Sequence, residues 1–414
     1  MNDKTVNIVK DLFLEYYKRK MIKYSIDNID MREFGFQLFN EEGMIRHKSF
    51  KDYKELHKFI IMNVPKHIYY STAIYANPAS PTMDTKDWLG AELVFDIDAD
   101  HLDTECKYNH DYWVCTNCEY MEFGPAPQKC PRCGSSSLRK FTWVCSRCLE
   151  EAKNETLKLI EEFLVKDLGV NVNDIEVYFS GHRGFHIHVK DKRFIKLDSQ
   201  QRREIVDYVK GIGLNPKDGL MFISRSKQRI YGPELYDYSW RGRVAKFFYE
   251  ILLKEDEDKI KDIFGHKSKR VMTLKEKILT DLSKHPANWA KILNYLDDIQ
   301  EVFTKITTII GCNVDEKVTI DIHRLIRMPG SLHGKTGIPA IKVPLSKLEA
   351  FELDETLSPF TGVARIRFTE SIPKSIMLMN TKVRIVKNTT LTIELPIALY
   401  LTCKGLAEIE EIKK

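Results

Sequence analysis

An apolar segment that ends in carboxylates reads Glu92-Leu93-Val94-Phe95-Asp96-Ile97-Asp98-Ala99-Asp100. Side chains of an extended strand alternate between its two faces, so Asp96 and Asp98 share one face and the apolar residues between them share the other. Two neighbouring carboxylates repel each other unless a cation neutralises them, and oxygen ligands suit Mg²⁺ or Mn²⁺ better than zinc. The segment therefore predicts a divalent metal site, with a solvent-exposed strand end as the alternative.

The composition is that of an ordinary globular protein. The chain has 414 residues and a formal net charge of +5 at pH 7, and its length predicts two or three structural units. So small a charge does not by itself indicate nucleic-acid binding. No run of about 18 apolar residues occurs, and the N-terminus Met1-Asn2-Asp3-Lys4 lacks the order of a secretory signal. We therefore expect a cytoplasmic protein without a membrane partner.

A cysteine cluster follows the carboxylate segment. Seven of the nine cysteines lie between Cys106 and Cys148, and such clustering in an intracellular chain indicates metal ligands rather than disulfides. With His110 the cluster has eight candidate ligands, enough for two tetrahedral zinc sites whose positions are all filled by protein. Filled sites are typical of structural zinc, and catalytic zinc is the alternative.

Two pairings of these ligands are open. In the favoured nested pairing, the inner C-x-x-C pairs form a ribbon site and the outer residues form a second site. The ribbon site has Cys115, Cys118, Cys130 and Cys133, and the outer site has Cys106, His110, Cys145 and Cys148. The sequential pairing instead divides the cluster between Cys118 and Cys130.

A second chemically informative stretch reads Ser180-Gly181-His182-Arg183-Gly184-Phe185-His186-Ile187-His188-Val189. Its glycines permit a tight turn and close approach of a ligand to the backbone. Serine, arginine and histidine side chains beside backbone N–H groups suit phosphate oxygens, with Arg183 as a bidentate clamp. His186 and His188 share one face of the outgoing strand, and we expect His188 to be structural.

The remaining elements are predicted from periodicity. Helices are expected over 5–20 and from Cys148 to about 166, a hairpin over 31–39 and 44–50, and strands over 67–75, 91–98 and 175–179. In the hairpin, Glu33 and Arg46 are either a surface ion pair or site residues. The block 313–337 adds two acids, Asp315 and Asp321, and two basic residues, Arg327 and His333.

The second half of the chain changes character. Residues 200–310 are predicted to be helical and charge-rich, and their basic runs at 225–229 and 266–270 are either solvated helix faces or a surface for a template. Residues 338–400 alternate as strands. We expect the chain to close with a short amphipathic helix and a charged tail.

Together these motifs resemble the catalytic small subunit of archaeal and eukaryotic DNA primases. The matching stretches follow the order of that family and cover about residues 30–190 and 310–345. They are Arg32-Glu33-Phe34, Phe95-Asp96-Ile97-Asp98, the Cys/His cluster, Ser180-Gly181-x-Arg183-Gly184-x-His186, and Arg327-x-Pro329-x-Ser331-x-His333-Gly334-Lys335-Thr336-Gly337.

The resemblance implies an α+β fold, the archaeo-eukaryotic primase fold, in which a mixed sheet forms the catalytic core. It implies a core made of residues 1–200 and 311–414, with a zinc-binding insert at about 106–148 and a helical insertion at 201–310. The family usually has a single zinc site of about four ligands, so residues 113–143 are expected to be an additional ribbon.

The resemblance also implies roles for individual residues. Asp96, Asp98 and a third aspartate would hold Mg²⁺ or Mn²⁺; Asp315 and Asp321 both qualify chemically, and the family spacing favours Asp315. The residues implied to bind the incoming nucleotide are Ser180, Arg183, His186, Arg327, His333, Arg46 and Glu33.

The implied activity is template-directed synthesis of short RNA primers from nucleoside triphosphates by two-metal nucleotidyl transfer, with DNA primers as an open alternative. The implied partners are a single-stranded DNA template and a large, iron-sulfur-containing primase subunit, which would form a heterodimer with this chain. Two other functions are open. One is a primase-related repair polymerase that extends existing ends, and the other is a non-catalytic zinc-ribbon protein that binds nucleic acid.

Overall fold

The computed structural model describes residues 2–19, 26–39, 41–214, 220–224, 229–254, 256–296 and 299–413. Most of the predicted basic run at 225–229 lies outside the described residues. The chain divides into two compact units. The first consists of residues 1–157, 170–202 and 314–414, and the second of residues 158–169 and 203–313.

The second unit begins earlier in the chain than expected, because it includes residues 158–169 as well as a continuous segment. The helix Ser146–Lys158 continues as a π-helical segment, Leu159–Val165. Phe163 on this segment packs against Trp240, with ring centroids 5.7 Å apart. This aromatic contact belongs to the core of the second unit, so the segment joins that unit.

Two four-stranded sheets form the centre of the first unit. One has the strand order Leu325–Arg327, His67–Ser71, Phe34–Gln37 and Ile45–Lys48, and the other has the order Ile341–Val343, Ile175–Phe179, Gly184–Val189 and Leu93–Asp98. Neighbouring strands of both sheets pair antiparallel. The expected mixed sheet is therefore wrong for the described strands. Connections such as the short turn at 180–183 favour antiparallel neighbours.

Smaller sheets complete the described strands. Three-stranded sheets are formed by Met121–Phe123, Tyr112–Cys115 and Leu138–Phe141, and by Thr390–Glu394, Val363–Phe368 and Ala407–Lys413. Two-stranded sheets are formed by Ala73–Tyr75 with Trp88–Ala91, Ile376–Leu378 with Thr381–Val383, and Phe222–Ser224 with Arg229–Tyr231.

The α-helices vary from one turn to five turns. The described α-helices are Asp3–Arg19, Tyr53–Asn63, Lys107–His110, Ser146–Lys158, Ser199–Lys210, Ser239–Lys254, Glu257–Phe264, Ser268–Thr273, Lys275–Leu282, Trp289–Leu296, Ile299–Ile310, Glu316–Ile320, Leu345–Leu348 and Leu395–Cys403. None of the helices in the described ranges has the length and apolar character needed to span a membrane.

The end of the chain differs from its prediction. Helix Leu395–Cys403 is buried on nearly all sides rather than amphipathic, and the expected charged tail is the strand Ala407–Lys413. Ala407 and Ile409 are buried while the glutamates between and after them are more exposed. The alternation of period two, rather than the number of charges, decides the structure of this segment.

The strand Leu93–Asp98, called the carboxylate strand below, is anchored at its beginning by buried charges. Arg202 donates to the carbonyls of Ala91 and Glu92 at 2.7 and 2.9 Å. Burial alone would raise the pKa of Glu92, but its hydrogen bond with His188 and the positive charge of Arg32 outweigh burial and hold that pKa well below its usual range. These contacts fix the position from which the acidic end of the strand extends.

Candidate active site

The carboxylate strand pairs with Gly184–Val189, called the histidine strand below. Asp96 lies opposite His186 and Asp98 lies opposite Gly184. Phe95 and Ile97 are buried, while the two aspartates are partly exposed. The predicted alternation of faces is therefore present, and a histidine ring accompanies the acids, with His186 Nε2 3.7 Å from Asp96 Oδ1.

Glycine is required at two positions of the connecting turn. A Cβ added to Gly184 would lie 2.8 Å from the Asp98 Cα on the neighbouring strand. Gly181 has φ +79°, and a Cβ there would lie 2.7 Å from the Ile338 carbonyl oxygen. These glycines allow the turn to pack against both the carboxylate strand and the loop that carries His333.

Asp315 reaches the same place from a distant part of the chain. Its backbone N–H donates to the carbonyl of Asp96 at 2.9 Å, and its carboxylate caps helix Glu316–Ile320 by accepting from the N–H of Lys317 at 3.0 Å. The other candidate, Asp321, is exposed and accepts from the N–H of His323. Of these two acids, the structure brings Asp315 beside Asp96.

A cavity of about 190 Å³ opens over the two aspartates. Its walls combine acids from one strand with basic residues from three separate segments. The lining residues are Tyr69, Asp96, Asp98, Ser180, His182, His186, Val318, Arg324, Leu325, Ile326, Arg327 and His333. The cavity thus has an acidic wall and a basic wall facing the same space.

The basic wall is built around Arg327. Its Nη1 lies 2.8 Å from His67 Nδ1, and its guanidinium lies 5.2 Å from the Tyr69 ring centroid. The ring of His333 packs between His67 and His182, with centroid distances of 5.1 and 5.3 Å. Within the described chain no carboxylate lies within ion-pair distance of Arg327, although its side chain is buried.

The acidic wall resists ionisation. Burial, the charge of Asp98 and the charge of Asp315 together raise the pKa of Asp96 to about 8, against the opposing effect of Arg324 and Arg327. Burial also raises the pKa of Asp98, although the neighbouring Arg183 partly offsets this effect. A cation placed between these acids would relieve the repulsion.

The basic wall resists protonation for the complementary reason. Burial and the charges of Arg327 and Lys66 lower the pKa of His67 to about 2. Burial likewise lowers the pKa of His186 and of His333 well below the usual range. The cavity therefore offers an anion neutral imidazoles and the Arg327 guanidinium, which has no carboxylate at ion-pair distance in the described chain. This is a favourable environment for phosphate oxygens.

Three residues expected at the nucleotide do not line this cavity. The Arg183 guanidinium is 1% exposed. It donates to Asp111 and to the Trp143 carbonyl, and these acceptors hold it in the interior. Glu33 is fully buried and accepts from Arg46 Nε at 3.0 Å. The hairpin residues form an ion pair, but it is not the surface ion pair that the sequence left open as one interpretation, because Glu33 is buried and only Arg46 is exposed.

The structure brings potential metal ligands together in three close groups within the described residues. The ligand atoms of Asp98, Asp100 and His182 all lie within 4.8 Å of one another, whereas Asp96 and Asp315 are not members of that group. Residues two apart on a strand are separated by about 6.6 Å along it. The carboxylates of Asp96 and Asp98 therefore share a face without touching.

The cysteine cluster forms the other two groups, in the nested arrangement. One group has Cys106, His110, Cys145 and Cys148, and the other has Cys115, Cys118, Cys130 and Cys133. Sulfur pairs lie 3.3 and 3.7 Å apart in the first group and 3.5 and 3.7 Å apart in the second. Tetrahedral zinc with thiolate ligands at about 2.3 Å separates its sulfurs by about 3.8 Å, so both groups fit this ion.

The ribbon group is built from two similar turns. The N–H of Glu119 donates to the Cys115 carbonyl at 3.0 Å, and the N–H of Gly134 donates to the Cys130 carbonyl at 2.9 Å. Both donors have positive φ, +58° and +73°. Each C-x-x-C pair is therefore followed by the same left-handed turn, which directs its two sulfurs to one point.

Several residues of the site were not identified from the sequence. Tyr69, His182 and Arg324 line the cavity, His67 supports Arg327, and Lys404 Nζ lies 3.0 Å from His182 Nε2. Only His182 lies within a motif, as its variable position. Long-range strand pairing places Tyr69 opposite Arg327, and Lys404 comes from the end of helix Leu395–Cys403. The local sequence carries no signal for either contact.

Comparisons with known proteins identify the family of this chain. A family model described as DNA primase small subunit matches residues 139–346. The chain is 34% identical over 411 residues to the DNA primase small subunit PriS of Nitrosopumilus maritimus, covering 99% of this chain and 100% of the relative. It is 33% identical to the protein of that name from Methanothrix thermoacetophila, over 99% and 100% of the two chains, and 31% identical to that of Cenarchaeum symbiosum, over 98% and 99%. The chain therefore belongs to the DNA primase small subunit family.

Proposed function

We propose that this chain is the catalytic subunit of a DNA primase and synthesises short RNA primers on single-stranded DNA from nucleoside triphosphates. The single observation that carries the proposal is the cavity with opposed walls. Asp96 and Asp98 lie on one side, and Arg327 without a carboxylate partner within the described chain lies on the other. A metal-bound triphosphate has the charge distribution that satisfies both walls at once.

The acids are proposed to hold divalent ions. Asp96, Asp98 and Asp315 would provide the oxygen ligands, and Mg²⁺ or Mn²⁺ suits such ligands. When bound, these ions would lower the pKa of an attacking 3′-hydroxyl and neutralise charge on the leaving pyrophosphate. Because Asp98 also lies close to Asp100 and His182, those two residues are further candidates for supporting an ion.

The basic wall is proposed to bind and orient the triphosphate. Arg327 presents a planar guanidinium held by Tyr69 and His67, and Ser180, His186 and His333 line the same cavity. The imidazoles are kept neutral by burial, so they would donate hydrogen bonds through N–H groups without needing to gain a proton. No side-chain nucleophile is required for the reaction.

The proposal also covers the structural zinc, the protein partner and the place of action. Zinc would occupy the two cysteine groups as a structural ion, since all four positions of each group are filled by protein. A large primase subunit would be the protein partner, and the replication machinery of the cell would be the place of action. Three residues outside the cavity are proposed to hold the site residues in position rather than to contact the nucleotide: Arg183, Glu33 and Arg46.

The test is synthesis by the full chain on unprimed single-stranded DNA with labelled nucleotides and Mn²⁺ or Mg²⁺. We expect dinucleotides and short oligomers with ribonucleotides in the wild-type protein and none with Asp98→Asn. Parallel reactions with deoxyribonucleotides show which sugar is preferred. Extension of a supplied primer without synthesis on unprimed DNA would support a repair polymerase instead. DNA binding without any synthesis would support a non-catalytic zinc-ribbon protein.

A further inference from the structure

Asp111 connects the group Cys106, His110, Cys145 and Cys148, called the outer zinc group below, to the interior of the first unit. The residue is 5% exposed. Its Oδ1 lies 2.8 Å from His110 Nδ1 and accepts from the N–H of Trp143 at 3.0 Å. Both neighbours belong to the zinc-ligand region of the chain. His110 is itself a candidate ligand, and Trp143 precedes the candidate ligand Cys145 by two residues.

The same carboxylate holds the buried Arg183. The two terminal nitrogens of Arg183 donate to Asp111 at 3.2 and 3.0 Å. This is a forked arrangement, which fixes the plane of a guanidinium as well as its position. A donation from Arg183 Nη1 to the Trp143 carbonyl at 3.0 Å completes the clamp.

The opposite side of Arg183 faces the acidic wall. Its Nη2 forms an ion pair with Asp100, and its Nε lies 3.9 Å from Asp98 Oδ1. Arg183 Nε is buried and has no hydrogen-bond partner in the described structure. One guanidinium is therefore shared among Asp111, Asp100 and Asp98, and its orientation determines how much positive charge reaches Asp98.

The histidine completes a continuous path of polar contacts. His110 Nε2 lies 3.4 Å from Cys148 Sγ, so this nitrogen is the one that would bind zinc and Nδ1 is left to donate to Asp111. A zinc-bound histidine commonly donates its second ring N–H to a carboxylate, which fixes the ring and raises its basicity as a ligand. The path runs from Cys148 through His110, Asp111 and Arg183 to Asp98.

We propose that Asp111 is a positioning residue that couples the outer zinc group to the metal-binding carboxylates by fixing Arg183 beside Asp98. The proposal rests on the proposed function, because it takes Asp98 as a ligand of the divalent ion. It assigns the outer zinc group a part in forming the active site, whereas the ribbon group has no such contact in the described structure. Zinc at the outer group would then influence Mn²⁺ affinity across the path.

The test measures Mn²⁺ binding to the full chain by electron paramagnetic resonance of free Mn²⁺, without nucleotide. Asp111→Asn removes the negative charge and one of the two acceptor oxygens, so the side chain can no longer accept from the two terminal nitrogens of Arg183 on separate oxygens. We expect its Mn²⁺ dissociation constant to rise about 10-fold, the lower end of the effects seen for outer-sphere partners of metal ligands. Asp167→Asn is the matched control, because the side chains of Asp167 and Asp111 are equally little exposed and Asp167 is also paired with an arginine, Arg243, in the second unit.

A double variant tests the path. If zinc acts through Asp111, then Cys145→Ser raises the Mn²⁺ dissociation constant. Adding Asp111→Asn to that variant should raise the constant by less than about 2-fold more, because the effects of substitutions within one network are not additive. Cys130→Ser removes a ribbon ligand and should leave Mn²⁺ affinity unchanged. Zinc content by mass spectrometry should fall by one ion per chain for either cysteine variant.

The outcomes separate this proposal from the function on which it rests. Wild-type Mn²⁺ affinity in Asp111→Asn, with weakened binding in Asp96→Asn, would overturn the positioning role and leave the proposed function intact. Unchanged binding in Asp96→Asn would instead overturn the proposed metal site. Should Asp111→Asn fail to fold, Arg183→Lys serves in its place, because lysine keeps the charge but cannot bridge Asp111 and Asp100. Wild-type affinity in that variant would equally refute the coupling.

Discussion

Asp96, a proposed ligand of the divalent ion, lowers the free energy of unfolding when it is ionised and no metal is bound. Its side chain is 22% exposed, and burial together with the charges of Asp98 and Asp315 raises its pKa from 3.8 to about 8. An acid with a raised folded-state pKa binds its proton more tightly in the folded chain than in the unfolded chain. Protonation therefore stabilises the fold, and this contribution is lost as the pH rises towards 8. We predict that Asp96→Asn stabilises the protein in the absence of divalent ions.

The size of the effect follows from the two pKa values. Each unit of pKa difference corresponds to about 1.4 kcal/mol between protonation states. With a folded pKa of about 8 and an unfolded value of 3.8, the ionisable side chain costs about 2 kcal/mol at pH 5 and about 6 kcal/mol at pH 9 by linkage. Asparagine does not ionise, so the stability advantage of the variant should grow by about 4 kcal/mol over this range.

The assay is urea unfolding of both proteins between pH 5 and pH 9, in buffer without Mg²⁺ or Mn²⁺ and without chelator, so that tightly bound zinc is retained. Asp103→Asn, an exposed aspartate beyond the carboxylate strand, is the control and should follow the wild type within about 0.5 kcal/mol. Added Mn²⁺ should stabilise the wild type more than Asp96→Asn, because it binds the folded site. A stability difference that is absent, or that does not grow with pH, would refute the electrostatic reasoning.

Three further predictions test other parts of the site. Arg327→Ala should raise the dissociation constant for ATP about 10-fold or more, because a charge-assisted hydrogen bond contributes about 1.5–3 kcal/mol; filter binding measures this, and unchanged affinity would remove the residue from the nucleotide site. The double variant Cys106→Ser/Cys145→Ser should retain one zinc per chain under the nested pairing, whereas the sequential pairing would leave none, and mass spectrometry distinguishes the two. Gly184→Ala should destabilise the fold by about 1–3 kcal/mol, because the added methyl group overlaps the neighbouring strand; an unchanged urea midpoint would contradict the close approach.

Local patterns in the sequence were sufficient where a residue's environment depends on its own strand or turn. The alternation of the carboxylate strand places Asp96 and Asp98 on the partly exposed side, as expected from period two. His188 is buried against Glu92, with Nδ1 3.0 Å from Oε2, in agreement with a structural residue. The sequence favoured the nested pairing of the cysteines but left the sequential pairing open, and the structure has the nested groups.

Local patterns were insufficient where the environment depends on distant segments. The direction of the Arg183 guanidinium is set by Asp111, which lies 72 residues earlier, so a motif that contains the arginine does not indicate which anion it faces. Lys404 reaches His182 from a helix near the end of the chain, and no repeat or spacing links the two. The roles of Asp315, Arg327 and His333 came from family resemblance, whereas phosphate binding by residues 180–186 was also indicated by their chemistry, and all of these roles stay predictions.

The electrostatics of the first unit explain why its site needs support from outside the cavity. At neutral pH the raised pKa of Asp96 costs folding free energy, because the unfolded chain would ionise this side chain freely, so the surrounding fold must offset that cost. The buried imidazoles cost stability only at acidic pH, where the unfolded chain would protonate them. The closing helix contributes to this support, because Tyr400 Oη accepts from the N–H of Val144 at 3.2 Å and Lys404 Nζ donates to the Thr142 carbonyl at 2.8 Å. Burial and the charges of Lys335 and Arg183 lower the pKa of Lys404 to about 7, so the lysine shares the positive potential of the basic wall. A ligand that carries both metal cations and phosphate anions would neutralise the acids and bind Arg327 at the same time, and its binding should therefore stabilise the fold more than either ion alone.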